Sequence, residues 1–512
     1  MLLLIHHQNK VVAVKNGDKQ LSVLQPQNIA KQLFTLAKDF PDALIVWCEA
    51  SQKDNLNLIE IPRLFHHHKI IHSYGNSTYL GDSIGFVEDS PFIKINPKVP
   101  YPTWQLSSMV GGITATVLNA IADKIPFVVN FAYFLNSLGK LVMPQGIFCY
   151  NNPNLLIEVP KKQSKKGTSF DLFRFVKQHY KTRWTFLLFL NMIYYNKKFP
   201  LFPLISALFY KNRKLPLDLL DKIPLVTNKK AEAALSLDVV IPTIGRKKYL
   251  YAVLKDLSAQ CLLPKKVILV EQNPDLECGS ELDFLTSASW PFEVKHIFIR
   301  QTGACNARNL ALNEVTAAAV FLADDDIRMG SNFLEQAFKK MIALQVEAVT
   351  LSCLQEDEIE INKTPIQWKS FGSGCSIVYT KTLKDIRFDM GFENGFGEDA
   401  DFGMQLRNKG VDIIYIPEPS ILHLKAPVGG FRTQPKLEWE NEPIQPKPSP
   451  TIMLFHLKHR SKEQRQGYKT TLFFKYYPKQ SIKNPFRYFR IFKAQWNQSV
   501  IWAEKLAGRD SY

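Results

Sequence analysis

From residue 236 the chain settles into a strict alternation: LDVVIP, a helical stretch over 247–259, KVILVEQ, a loop, VKHIFIR, a helical stretch over 305–314, then AAVFLADDD. Apolar, β-branched runs separated by helical stretches of about 10–15 residues predict a mostly parallel sheet covered by helices on both sides. The pattern runs to about residue 430. Open α/β sheets bind ligands beyond the carboxyl ends of their strands, so the residues just after each run are the candidates for chemistry.

The first run ends in Pro242 and Thr243, with Gly245 and Arg246 opening the next helix. The G-x-G-x-x-G fingerprint is missing there, which excludes a dehydrogenase-type dinucleotide site. TGACNARNLAL (302–312) sets Arg308 in the first turns of a helix, where a guanidinium can meet a base or a phosphate. VFLADDDIRMG (320–330) delivers Asp324, Asp325 and Asp326 at a strand end. Three adjacent carboxylates repel one another unless a cation compensates. Asp324 and Asp326 share a side of an extended chain, an arrangement suited to Mg²⁺ or Mn²⁺ with phosphate oxygens. GFENGFGEDADFGMQLRNKG (391–410) brings Glu398 and Asp399 to the start of an amphipathic helix, where a carboxylate can act as general base. Asp401 is expected as an N-terminal helix charge, favourable with the macrodipole. SFGSGCSIVYTK (370–381) adds a small-residue loop that lets backbone approach a ligand closely.

In this order, across some 195 residues and about two fifths of the chain, these motifs resemble family 2 glycosyltransferases, inverting enzymes of GT-A fold. The resemblance implies that Pro242 and Thr243 line the nucleotide pocket and that Arg308 contacts base or phosphate. It implies that Asp324 and Asp326 hold Mn²⁺ or Mg²⁺ on the sugar diphosphate, with Asp325 beside them in the donor site. Asp399 is then the base and Glu398 the next candidate. His423, in ILHLKAPVGGFR, resembles a histidine that some GT-A enzymes use as an extra metal ligand. Two departures stand out. Glu271, followed by Gln272 and Asn273, occupies the donor-binding place where the family usually has Asp. The Gln-x-x-Arg-Trp signature of processive synthases is missing, since the chain reads Gln405-Leu406-Arg407-Asn408, so a single transfer per binding event is expected. One metal site and one base fit transfer better than glycoside hydrolysis, which uses two carboxyl groups across the bond. The rival readings are a nucleotidyltransferase on a related fold, which would want a glycine-rich phosphate loop after the first strand, and a catalytically dead glycan-binding or scaffold protein.

Residues 1–155 alternate β-like runs (LLLI, ALIVWCEA, KIIHSYG, FVVNFAYF) with a helical pattern over 27–39, as an N-terminal α/β domain does. MLLLIHHQNKVV has no basic n-region, long h-region or cleavage site, and reads as a first strand and not as a signal peptide. IVWCEA (45–50) and GGITATVLNAI (111–121) echo the acidic strand and glycine loop downstream. A degenerate GT-A-like domain and a generic α/β interaction domain are both open. His66, His67 and His68 read as a solvated run. Residues 156–235 form a basic and aromatic helical segment with a linker ending in NKKAEAALS, and 431–512 a basic, aromatic C-terminal extension.

Lys and Arg number 64 against 47 Asp and Glu, a net +17. Residues 161–183 carry +7 of it and 456–512 carry +10, so the rest of the chain is formally neutral. Charge focused in this way points to a polyanionic surface, nucleic acid or an anionic membrane leaflet. No nucleic-acid recognition motif accompanies it and the candidate site is acidic, which favours the membrane. The basic-aromatic stretches 161–210 and 468–502 suit interfacial helices, with plain amphipathic core helices as the alternative. The most apolar stretches, Trp184 to Tyr195 and Phe199 to Tyr210, are broken by Asn191, Asn196, Lys197, Lys198 and Pro200, short of the ~20 residues of a spanning helix. Seven cysteines without a Cys-x-x-Cys pair argue against zinc or disulfide frameworks and suit a reducing cytosol. The expected partners are a nucleotide-sugar donor, a glycan or lipid-linked acceptor of cell-envelope synthesis and an anionic membrane surface, with no nucleic acid. The expected location is cytoplasmic, peripheral on the inner face of the cell membrane.

Overall fold

The computed structural model describes residues 1–21, 28–126, 128–160, 165–225, 236–427 and 437–508. Lys161, Lys162, most of the linker ending in NKKAEAALS, and the boundary near residue 430 lie outside them. The chain forms two compact units: Met1–Lys229 with Arg460–Gln480, and Lys230–His459 with Ser481–Tyr512.

In the first unit, strands β1 (Leu2–His7), β2 (Lys10–Asn16) and β3 (Lys19–Leu21) precede α1 (Ile29–Asp39) and β4 (Leu44–Glu49). Then come β5 (Ile70–Tyr74), β6 (Tyr101–Pro102), β7 (Val110–Thr114), α2 (Phe131–Val142) and β8 (Phe148–Asn151). Helices α3 (Ser169–His179), α4 (Arg183–Asn196) and α5 (Leu201–Leu208) come next. The sheet order is β3-β2-β1-β4-β7-β5-β8-β6. Three expectations fail here. Residues 128–134 of FVVNFAYF are not a strand: the Asn130 side chain accepts from the Tyr133 amide at 3.0 Å and starts α2, because Phe131, Phe134, Leu135 and Leu138 repeat with the helical period and are all buried. His67 is buried rather than solvated; its Nδ1 accepts from the Lys69 amide at 3.1 Å, and burial pushes its pKa down to about 3. Gly111 and Gly112 lie within β7 and not in a loop, and a Cβ on Gly111 would sit 2.2 Å from the Trp47 ring.

The second unit runs β9 (Leu237–Thr243), α6 (Lys247–Ser258), β10 (Lys266–Gln272), β11 (Glu293–Ile299), α7 (Ala304–Asn313), β12 (Ala319–Ala323), β13 (Ile327–Arg328) and α8 (Phe333–Leu344). It continues with β14 (Ala348–Leu354), β15 (Ile366–Gln367), β16 (Cys375–Tyr379), α9 (Glu398–Asn408), β17 (Ile413–His423) and α10 (Pro450–His459). After α11 (Lys462–Tyr476), a first-unit helix, the chain returns as α12 (Pro485–Ala507). The order is β11-β10-β9-β12-β16-β14-β17-β13, with β15 on β17. Strands β9 to β12 pair in parallel, as expected, but β16 runs antiparallel to both neighbours, so the sheet is mixed. Strands β9 and β10 are buried along nearly their whole length, as layers of helix on both faces require. The aromatic C-terminal stretch resolves into a core-facing helix: Tyr488, Phe492 and Trp496 of α12 recur every fourth residue and are buried.

The five central strands have the same order and directions in both units. Strand β1 is parallel to β4, β4 antiparallel to β7, β7 antiparallel to β5, and β5 parallel to β8. The same four relations hold for β9, β12, β16, β14 and β17. Even the strand-end bond recurs: the Glu49 amide donates to Met109 O as the Asp324 amide donates to Gly374 O.

Helix α11 completes the first unit through a close backbone contact, since a Cβ on Gly467 would lie 2.3 Å from Phe86 O. Gly467→Ala should therefore lower stability by about 1–3 kcal/mol, read as a lower midpoint in thermal and urea unfolding. An unchanged midpoint would show that this contact yields freely.

Candidate active site

Gly245 (φ +60°) turns the chain sharply after β9, so α6 begins only at Lys247 and Arg246 stays outside the helix. Its guanidinium returns to the acidic triplet, 2.6 Å from Asp325 Oδ1 and 3.3 Å from Asp326 Oδ2. Thr243 Oγ1 donates to Asp325 Oδ2 at 2.7 Å. Asp325 is thereby buried as a support for its neighbours. Burial pushes its pKa up to about 6, against Arg246 and Thr243, which favour the carboxylate.

The triplet is not extended as expected, because the chain turns at 325–326 before pairing as β13. That short strand lies antiparallel to β17 with Ile327 opposite His423, which carries His423 to the triplet. One ligand atom from each of Asp324, Asp326 and His423 falls within 4.8 Å of the others. Two carboxylates and an imidazole so close are a donor set for a divalent cation. Burial opposes the charge on Asp326, yet its pKa is lowered, because His423, the Ala426 amide at 2.8 Å and Arg246 all favour the carboxylate. The hydrogen bond to Asp326 raises His423 in turn.

Arg308 is buried, with Nη2 3.3 Å from Asp324 Oδ1, and the charges of Asp399 and Glu398 also raise its pKa against burial. These two carboxyls open α9 after Gly397 (φ +116°). Ser373 Oγ donates to Asp399 Oδ1. Burial raises the Asp399 pKa, against Arg308 and Ser373. Glu398 is pushed up to about 7, first by burial and then by the charge of Asp399. Asp401, expected at the helix end as a simple charge, is fully buried instead. His459 Nε2 lies 2.6 Å from its Oδ1, and Gln405 Nε2 donates to its Oδ2 at 2.7 Å, tying α9 to α10.

Glu271 lines the same cleft, but its carboxylate is engaged inside the protein. It accepts from Ser280 Oγ at 2.5 Å and the Glu281 amide at 2.8 Å, and His296 Nε2 lies at 2.8 Å. Some ties were not foreseen. Gln272 Oε1 accepts from the Gly303 amide at 2.6 Å, and Glu393 accepts from the Cys305 and Asn306 amides at 3.1 and 2.7 Å, fixing the start of α7. Their signal was a polar side chain beside a strand end or inside a glycine loop, which by itself names no partner. Gly374 has no room for a side chain, since a Cβ would lie 2.0 Å from Asp324 Oδ2. Every site residue singled out from the sequence lines a single cleft of about 830 Å³.

Residues 238–407 match the model for glycosyl transferase family 2. This segment is a family 2 glycosyltransferase domain. Its mixed sheet, with the acidic triplet at the end of β12, is the GT-A fold. No curated protein matches the sequence. Among solved structures, the chain is similar to S. aureus TarS 1-349, at 17% identity over 37% of this chain and 60% of that one, with a TM-score of 0.31. TarS 1-349 in complex with UDP-GlcNAc gives 14% identity over 53% and 89%, with a TM-score of 0.37. The chain thus spans about three fifths of the first of these structures, and likenesses this partial decide nothing about the donor.

Arg308 sits as a buried cation among Asp324, Glu398 and Asp399. Arg308→Met should cost about 3–5 kcal/mol of stability near pH 8, the usual effect of stranding buried charges. Without the arginine the folded carboxyls bind protons more tightly than the unfolded chain does, so the deficit should shrink as pH falls toward 5. Urea unfolding at the two pH values checks this; a deficit independent of pH would mean that Arg308 acts only through packing.

Proposed function

We propose that the chain transfers a glycosyl residue from a nucleotide-diphosphate sugar to an acceptor hydroxyl, inverting the anomeric carbon. The observation that carries this reading is the cleft itself, where the Asp324, Asp326 and His423 donor set and the Glu398–Asp399 carboxyl pair open into one space. Pro242, Thr243 and Glu271, at the ends of β9 and β10, are assigned to the nucleoside end. Asp325 and Arg246 brace the triplet, and Arg308 offsets the charge around Asp324. Asp324, Asp326 and His423 would hold Mn²⁺ or Mg²⁺, which would neutralise charge on the departing diphosphate.

Asp399 takes the proton of the acceptor hydroxyl. Ser373 Oγ donates to its Oδ1 and orients the carboxyl. As the acceptor oxygen bonds to the anomeric carbon, the bond from that carbon to the diphosphate oxygen breaks and the diphosphate leaves with the electron pair. Glu398, with its pKa near neutrality, is the alternative proton carrier at the same position. A nucleotidyltransferase is disfavoured by the turn after β9, which offers Gly245 alone where a phosphate loop would need several glycines.

We assign the acceptor to glycan or lipid-linked precursors of the cell envelope, met at an anionic membrane surface on the cytoplasmic side. The first unit is proposed as a catalytically empty copy of the same sheet. Its Glu49, in the place of Asp324, is engaged by Ser51 and His7, and α2 opens with Phe131-Ala132-Tyr133 where α9 opens with Glu398-Asp399-Ala400. The antiparallel β2–β3 hairpin stands where β10 and β11 build the nucleoside end.

Asp326→Ala should abolish Mn²⁺-dependent binding of nucleoside diphosphates in calorimetry while leaving the thermal midpoint near that of the wild type. Unchanged affinity would remove the triad from the donor site. Asp399→Asn should keep donor binding and lower single-turnover transfer by roughly 10²–10⁴, the usual contribution of a general base. Near-normal transfer would leave Asp399 as a helix cap and pass its role to Glu398.

A further inference from the structure

We propose that α4 and α5 of the first unit form the surface on which the chain docks to an anionic lipid bilayer, lying in the headgroup region without crossing it. The proposal deepens the membrane reading above by naming the surface that carries it.

Nine of the thirty-one exposed large apolar side chains among the described residues fall within residues 186–209. Phe186, Leu190 and Tyr194 recur every fourth residue on one face of α4, while Leu188 and Met192 are buried on the other. Phe199, Phe202 and Phe209, in and around α5, are 69%, 76% and 84% exposed, although Leu204 and Ala207 of the same helix are buried. The Phe189 and Phe199 rings meet at 5.4 Å between centroids and join the two helices. Apolar exposure this concentrated marks a binding surface more often than plain solvent-facing structure.

Charge selects the occupant. Between Asp171 and Asp218 the chain has nine Lys and Arg and no acidic residue. Lys181, Arg183, Lys197 and Lys198, at the two ends of α4, are all exposed. Aromatic side chains that enter the acyl boundary, flanked by cations at phosphate level, describe an interfacial helix pair. A second copy docked through the same face would meet only like charge. At 14 and 8 residues, α4 and α5 reach ~21 and ~12 Å, short of the ~30 Å hydrocarbon core. No helix among the described residues is long and apolar enough to cross a membrane.

The test is co-sedimentation of the full chain with vesicles of phosphatidylglycerol in phosphatidylcholine, and with phosphatidylcholine alone. The wild type should bind the anionic vesicles more tightly, and high salt should weaken that binding without removing it, because part of it is apolar. The double variant Phe202→Ser, Phe209→Ser removes the two most exposed rings of the patch, so its thermal midpoint should hold while vesicle affinity drops about tenfold or more. Its Mn²⁺-dependent nucleotide binding should be unchanged. Equal vesicle binding by variant and wild type overturns the proposal. So does a wild type that ignores both vesicles, or one that self-associates through these rings in sedimentation velocity. A wild type that binds vesicles but no nucleotide would overturn the transferase reading and leave the docking surface standing.

Discussion

Asp324, Asp325, Asp326, Glu398 and Asp399 are five of the eight carboxylates that line one cleft. Such crowding is tolerated only where cations answer it, and the fold commits two arginines to that task, one from a strand-end turn and one from a helix. Arg246 leaves the turn after β9 to bind Asp325 and Asp326, and Arg308 projects from α7 toward Asp324. Gly245 and Gly374 give the backbone the turn and the clearance that this requires. The remaining pair, Asp324 and Asp326 with His423 beside them, is the donor set that suits a divalent ion. Glu398 and Asp399, whose charges Arg308 offsets only in part, are pushed upward and suited to receive a proton.

The strand-end chemistry was legible because it is local. A six-residue apolar run predicts a strand, and the residues after it must lie at the sheet's carboxyl edge, which is where the triplet falls. A glycine loop running into a helical pattern likewise fixes the Glu398–Asp399 pair at a helix start. The braces could not be read in this way. Arg246 reaches 79 residues to Asp325, Glu393 reaches 87 to Asn306, and His459 reaches 58 to Asp401. No periodicity encodes such meetings; they arise from strand order. Composition also cannot say which face is covered. The basic aromatic run in α12 buries Tyr488, Phe492 and Trp496 and leaves Phe486 and Phe489 exposed, the similar run over α4 and α5 leaves many more exposed, and residues 131–134 start a helix because Asn130 caps it.

The two units show what one sheet topology does and does not confer. Both place an acidic residue at the end of the strand paired in parallel with the first, and both bond its amide to the neighbouring antiparallel strand. Only the second adds two further aspartates, an arginine in the preceding helix and a carboxyl pair at the start of α9. Chemistry on this scaffold comes from what the strand ends carry, and the first unit instead bears the exposed aromatic helices.

The central claim is that one base and one cation site carry out a direct displacement, with no protein nucleophile on the path. The configuration of the anomeric centre in donor and product, compared by proton NMR on the first nucleotide-sugar turned over, tests it most directly. An α-linked donor should give a β-linked product. An α-linked product would demand a second displacement, and would contradict the assignment of Asp399 as base.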